Sequence, residues 1–172
     1  AKPILTMNPV KVLSLLILIA AVSSCKNEPD GSDNDFSAIL RDAPQIKGNA
    51  EYLESPYVTA GDRLYMVGHQ DGSFPEIGWH IKGEMGGIWD HPIKLMDGFQ
   101  ANVRVGDTDI PIQKAHAFVN YPMANRHDFR LDPLGLLIER WQFVPDGKQG
   151  LSISYLIHNT GAGTSTLEFT FT

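Results

Sequence analysis

The chain has a single cysteine, Cys25, so it contains no internal disulfide. It also lacks a run long enough to cross a bilayer. Val12 to Val22, its apolar stretch, covers 11 residues, where a spanning helix needs about 20. Basic residues are few: 14 Lys and Arg stand against 20 Asp and Glu, a net charge of -6. Nucleic-acid binding rests on cations that neutralise phosphates, so that partner class is not expected. From Glu51 onward no sustained 3.6-residue apolar period occurs, which argues against a helical fold. Turn punctuation is abundant instead, with 16 Gly and 11 Pro.

The N-terminal residues have the layout of a targeting segment rather than of a fold. Met7 reads as the initiator, with residues 1–6 an upstream extension and Lys11 the positive charge ahead of Val12 to Val22. Ser23 and Ser24 then lead into Cys25. Apolar run, small residues and cysteine in that order resemble the lipobox of bacterial lipoproteins. The resemblance implies that residues 1–24 are a signal peptide and that Cys25 is acylated as the mature N-terminus. The protein would then be held on a membrane of the cell envelope, as an outer-membrane lipoprotein facing the periplasm or the surface. Two or more acyl chains make such an anchor stable. The competing reading of a lone cysteine is a small buried thiol.

After Cys25 comes Lys-Asn-Glu-Pro-Asp-Gly-Ser-Asp-Asn-Asp, with acids at Glu28, Asp30, Asp33 and Asp35. So polar a segment buries little apolar area, and residues 25–50 are expected to form a solvated tether. It also resembles the acidic export signal that Bacteroidetes lipoproteins carry behind the cysteine; a plain linker is the alternative. From Cys25 on, 12 basic residues face 20 acidic ones, a balance of -8.

Residues 51–172 are expected to form an all-β antiparallel sandwich, incomplete at its C-terminal end. Turn dipeptides recur at Gly61-Asp62, Asp71-Gly72, Asp97-Gly98, Gly106-Asp107 and Asp146-Gly147, with strand-forming runs between them. Arg63 to Gly68 and Gln100 to Val105 are such runs. In the last third, Leu136 to Val144, Leu151 to His158 and Ser165 to Thr172 predict a meander of three antiparallel strands. Leu151, Ile153 and Tyr155 would share one apolar face, as would Leu167, Phe169 and Phe171. Thr172 falls within an alternating strand, which leads to the expectation that the natural protein continues beyond it.

Val67 to Phe99 is the stretch suited to chemistry, read as a long loop on a rigid sheet. It holds Trp79 and Trp89, His69, His80 and His91, and the acids Asp71, Glu76, Glu84 and Asp90. Aromatic faces beside carboxylates and imidazoles suit a sugar site, where rings stack on C–H faces and polar groups take hydroxyls. Packing is the competing role for both tryptophans. Glu84 with Asp90 is a candidate acid/base pair of the glycosidase kind, although loop spacing sets no distance. The histidine spacing of 11 fits no zinc pattern and there is no cysteine partner, so no metal or other cofactor is expected. No Gly-x-Ser-x-Gly elbow is present to support a serine hydrolase.

The runs Tyr57-Val-Thr-Ala-Gly-Asp-Arg-Leu-Tyr-Met-Val-Gly68, Gly83-Glu-Met-Gly-Gly-Ile-Trp-Asp-His-Pro92 and Lys94-Leu-Met-Asp-Gly-Phe99 resemble the start of large Bacteroidetes lipoproteins. These are the glycogen-debranching-like, six-hairpin glycosidases. Phe143-Val-Pro-Asp-Gly147 and Tyr155-Leu-Ile-His-Asn-Thr-Gly161 are similar to the β-supersandwich that precedes their (α/α)6 barrel. The resemblance implies an accessory domain of a glycoside hydrolase acting on α-glucans or related glycans. In that family the catalytic acid and base lie in the barrel, so no catalytic residue carries over. Trp79, His80, Glu84, Trp89, Asp90 and His91 are the residues expected to contact a glycan. The partners implied are an oligosaccharide, the barrel of the same polypeptide and, through the lipid, the membrane. The competing function is a non-catalytic glycan-binding surface lipoprotein; a structural or adhesive lipoprotein is a third.

Overall fold

Alternation and turn chemistry together cut the chain into short strands, which a computed structural model describes for residues 39–172. The expected signal peptide, Cys25 and the tether as far as residue 38 lie outside the described residues. Among those residues the strands are β1 (Ile46–Lys47), β2 (Pro56–Ala60), β3 (Tyr65–His69), β4 (Gly87–Asp90), β5 (Ile93–Met96) and β6 (Ala101–Val105). They continue with β7 (Thr108–Pro111), β8 (Ala117–Asn120), β9 (Ala124–Leu131), β10 (Leu136–Phe143), β11 (Ser152–Asn159) and β12 (Glu168–Phe171). Two single-turn 3-10 helices, Ala50–Tyr52 and Asp132–Leu134, lie between strands of the described residues. No helix among the described residues is long and apolar enough to cross a membrane.

The strands form three antiparallel sheets, and the all-β sandwich expected from the sequence is what they build. The largest runs in the order β1-β8-β9-β10-β11, a second β2-β3-β4-β5 and a third β12-β6-β7. The β9–β10 hairpin shows why this sequence folds so. Asn125, His127, Phe129 and Leu131 alternate along one strand, and Leu136, Ile138, Arg140 and Gln142 along the next; all eight are buried. Cross-strand pairing sets Phe129 opposite Ile138, His127 opposite Arg140 and Asn125 opposite Gln142. Gly135, at φ 62°, closes the turn between them in the left-handed region that glycine adopts without a Cβ clash.

This inward face meets the two smaller sheets through separate apolar clusters. One joins Phe129, Leu131, Leu136 and Ile138 to Ala101, Val103, Ile112 and Ala115. The other gathers Tyr57, Leu64, Met66, Ile88, Phe118 and Val144. Each fully buried Leu, Ile, Met or Phe contributes about 1.5–3 kcal/mol through water exclusion. Between the clusters the face carries Asn125, His127, Arg140 and Gln142, a polar strip with no access to solvent.

Three features differ from the sequence reading. Order begins ahead of Glu51: Ile46 and Lys47 pair with Asn120 and Val119, because their backbone completes an edge that would otherwise stand open. The C-terminal meander is a two-strand pair: β10 pairs with β11, but β12 pairs with β6 in another sheet, with Phe169 opposite Val103. The physical reason is that apolar faces are satisfied by facing layers as well as by neighbours. Phe169 meets Tyr155 of β11 at 4.8 Å between ring centroids while bonded to the third sheet. Finally, Val67 to Phe99 is not one loop, because it contains the β4–β5 hairpin and leaves residues 70–86 as the connection.

Candidate functional site

The connection after β3 is rooted in the core before it reaches solvent. Asp71 takes hydrogen bonds from the Ser73 backbone N–H at 2.9 Å and the Ser73 hydroxyl at 2.6 Å, which tightens the first turn. The carbonyl of Gly72 accepts from Nη1 and Nη2 of the buried Arg140, both at 3.2 Å. That guanidinium also lies over the rings of Phe99 and Phe129, 5.1 and 5.4 Å from their centroids. The base of the loop is therefore tied to the middle of β10.

Residues 77–85 then form a closed turn. The Met85 N–H donates to the Ile77 carbonyl at 2.9 Å and the Glu84 N–H to the Ile81 carbonyl at 3.1 Å. The Glu84 side chain bends back and accepts three consecutive backbone N–H groups. Those of Trp79 and His80 reach Oε1 at 2.9 and 3.0 Å, and that of Ile81 reaches Oε2 at 3.2 Å. These donors, His80 first, then Trp79 and Ile81, hold the Glu84 carboxyl below its ordinary value. Gly78 is required by closeness: a Cβ there would come within 2.0 Å of the Ile81 carbonyl oxygen. From β5, Lys94 donates to the Gly83 carbonyl at 2.9 Å, while its ammonium pairs with Asp97.

The six candidate contacts fall into two groups with different surroundings. Trp79, at 87% exposure, and the exposed His80 stand at the tip of the closed turn, and Glu84 is the brace beneath them. Trp89 lies in β4, and its indole N–H donates to the Gly86 carbonyl at 2.9 Å. Its ring is parallel to that of its cross-strand neighbour Tyr65, with centroids 6.3 Å apart, and the Lys94 ammonium sits 5.7 Å from its centroid. Trp89 is packed as cross-strand aromatic pairs are. Asp90 accepts from Gln149 Nε2 at 3.0 Å, and His91 is exposed at the β4–β5 turn.

As the proton donor of a Glu84–Asp90 pair, Glu84 is poorly suited. A glycosidase general acid needs a raised pKa, and Glu84 is shifted the other way by three donors that favour its charge. Among the described residues no group of three or more His, Cys, Asp or Glu is gathered to hold a metal ion. The arrangement presents an aromatic surface on a braced turn.

The sequence reading assigned no role to Lys94 or Gly78, although both shape the site. It also missed the buried strip behind it. Gln142 Nε2 donates to the Tyr57 hydroxyl at 2.7 Å, and the Tyr57 and His127 rings meet at 4.9 Å. Burial, and then the Arg140 charge, push the His127 imidazole well below its ordinary value; burial raises the Tyr57 and Tyr155 phenols. In the run Asn-Arg-His-Asp-Phe-Arg-Leu, His127 looks like a solvent-facing residue. Its only sequence signal is its place two residues before Phe129 in the alternation.

A second surface feature is an apolar cleft of about 480 Å³ along one flank, lined by Leu95, Met96, Phe99, Ile153, Phe169 and Phe171 among others. Comparison with known proteins found no matching family model, curated protein or solved structure.

Proposed function

We propose that this chain is the non-catalytic β-sandwich domain of a lipid-anchored glycan-processing protein, and that the turn bearing Trp79 meets the glycan. The observation that carries the reading is the Trp79 indole, 87% exposed on a turn whose backbone is hydrogen-bonded at both ends. An exposed indole on a braced turn offers a partner a large aromatic face whose orientation is already set. A flat ring offers a face for the C–H groups of a pyranose, and His80 beside it supplies hydrogen bonds for hydroxyls. The substrate class is an α-glucan or a related glycan, the hydrolytic residues belong to an (α/α)6 barrel that follows Thr172, and Cys25 carries the lipid. This assignment rests on the family resemblance of the Gly83 to Pro92 and Tyr57 to Gly68 runs.

The test is retention on immobilised α-glucan oligosaccharides. Trp79→Ala should weaken retention about tenfold, the scale of one stacked aromatic contact, whereas Trp89→Phe, on a correctly folded chain, should change it little. Retention unaltered by Trp79→Ala would remove the basis of the reading. The competing function, a self-standing glycan-binding lipoprotein, is favoured by the fact that the Trp79 turn is complete within this chain. The gene beyond the Thr172 codon separates the two: helical hairpin pairs support the accessory domain, and a prompt stop supports the binding module.

A further inference from the structure

We infer that Glu84 is a positioning residue whose carboxylate holds the Trp79–Ile81 turn in the shape that presents the Trp79 indole. The inference rests on the reading of Trp79 as the contact residue and adds how that contact is kept ready. Three consecutive N–H groups that converge on one side form a concavity with positive character, which is stable when an anion fills it. Here the anion is the side chain of Glu84, with donors at 2.9, 3.0 and 3.2 Å. Bonds of this charge-assisted kind are stronger than neutral ones. Without the brace, residues 78–83, which include Gly78 and Gly83, would sample many conformations. Ordering them would then count against binding.

The neighbours act in the same direction. Lys94 fixes the far side of the turn through the Gly83 carbonyl, and is itself set by Asp97 and the Trp89 ring. The Met85–Ile77 bond closes the neck, and Gly78 leaves the Ile81 carbonyl and the Glu84 side chain room to approach. The other polar side chains near the turn are the His80 imidazole and the Lys82–Glu76 ion pair, and the Glu84 carboxylate is held by backbone N–H groups rather than by these side chains. Glu84 therefore works through the backbone of Trp79 and is not itself a ligand contact.

The test uses the isotopically labelled chain and follows its backbone amide signals. In the wild type, the amides of Trp79, His80 and Ile81 should shift together on acidification, with one midpoint below the ordinary 4.5 of a glutamate. They should also exchange slowly with solvent. Glu84→Ala should abolish the joint shift and speed exchange at these three positions, while the other amide signals stay dispersed as before. Retention on the α-glucan matrix should fall about two- to tenfold, the scale of ordering one side chain and its turn. Glu84→Gln keeps one acceptor oxygen and should lie between. Unchanged amide behaviour in Glu84→Ala would overturn the inference, as would a released turn that still binds as the wild type does. If the wild type and Trp79→Ala both pass through the matrix, the glycan reading fails by itself. The brace then stands if the three amides titrate together and lose this in Glu84→Ala, and falls if they do not.

Discussion

His127 is the residue whose chemistry differs most from what its position in the sequence suggests. It has no solvent access, and burial together with Arg140 keeps its ring neutral far below 6.5. In the unfolded chain the same ring takes a proton near 6.5. Between that value and the lower folded one, the unfolded state binds more protons, so stability falls as pH falls through this window. Above 6.5 both states are neutral and the residue adds no slope. The maximal slope is about 1.4 kcal/mol per pH unit. Asp128, raised by burial, contributes with the opposite sign: its share is present below 3.8 and fades as pH rises through the folded value. Asp128 therefore cannot cause a loss on acidification. Urea midpoints measured between pH 8 and 5.5 should drop steadily below pH 6.5, and His127→Gln should flatten that drop whatever its own starting stability.

Among the elements, the edges set the behaviour of the isolated domain. β5 and β11 end their sheets, and β12 ends the third. All three border the apolar cleft, where Leu95 and Phe171 are 51% and 50% exposed. Unpaired backbone beside exposed apolar side chains is a template for self-association. Leu95→Lys should therefore raise the concentration at which the chain stays monomeric, as read by sedimentation or light scattering, with little change in unfolding midpoint. An unchanged association limit would show that the flank is not the sticky surface. Strands β3 and β10 were legible as strand-forming runs between turn signals, and β6, β11 and β12 through alternation as well. Which strand β12 would join was not legible: Phe169 and Phe171 match an apolar neighbour and an apolar facing layer equally well. The Trp79 turn was legible as a composition, rich in Gly, Trp and acids. What separates Trp79 from Trp89 is not, because it lies in the Glu84, Gly86 and Lys94 contacts rather than in residue type.

For the molecule as a whole, the layers give a domain that carries the proposed Trp79 site on the connection between β3 and β4. That suits a part that works where something else places it, and the proposed placement depends on Cys25. Replacing it, Cys25→Ser, should abolish incorporation of labelled fatty acid and move the protein from the membrane to the aqueous fraction, because acyl chains supply the membrane affinity. Continued membrane association without label would defeat the lipoprotein reading. The amide spectrum of the sheets should be unchanged, since the first strand among the described residues is Ile46–Lys47.

The sealed polar strip across the large sheet has a consequence for how the strands find one another. A one-residue slip between β9 and β10 is excluded by the pleat, because it turns every inward side chain outward. A two-residue slip keeps the faces and would leave two purely apolar strands nearly indifferent. Here it would carry Arg140 about 7 Å along the strand, away from the Gly72 carbonyl and opposite a different partner than His127. The strip thus works as a key cut into the core: its bonds to the Gly72 carbonyl and the Tyr57 hydroxyl form in only one alignment of the hairpin.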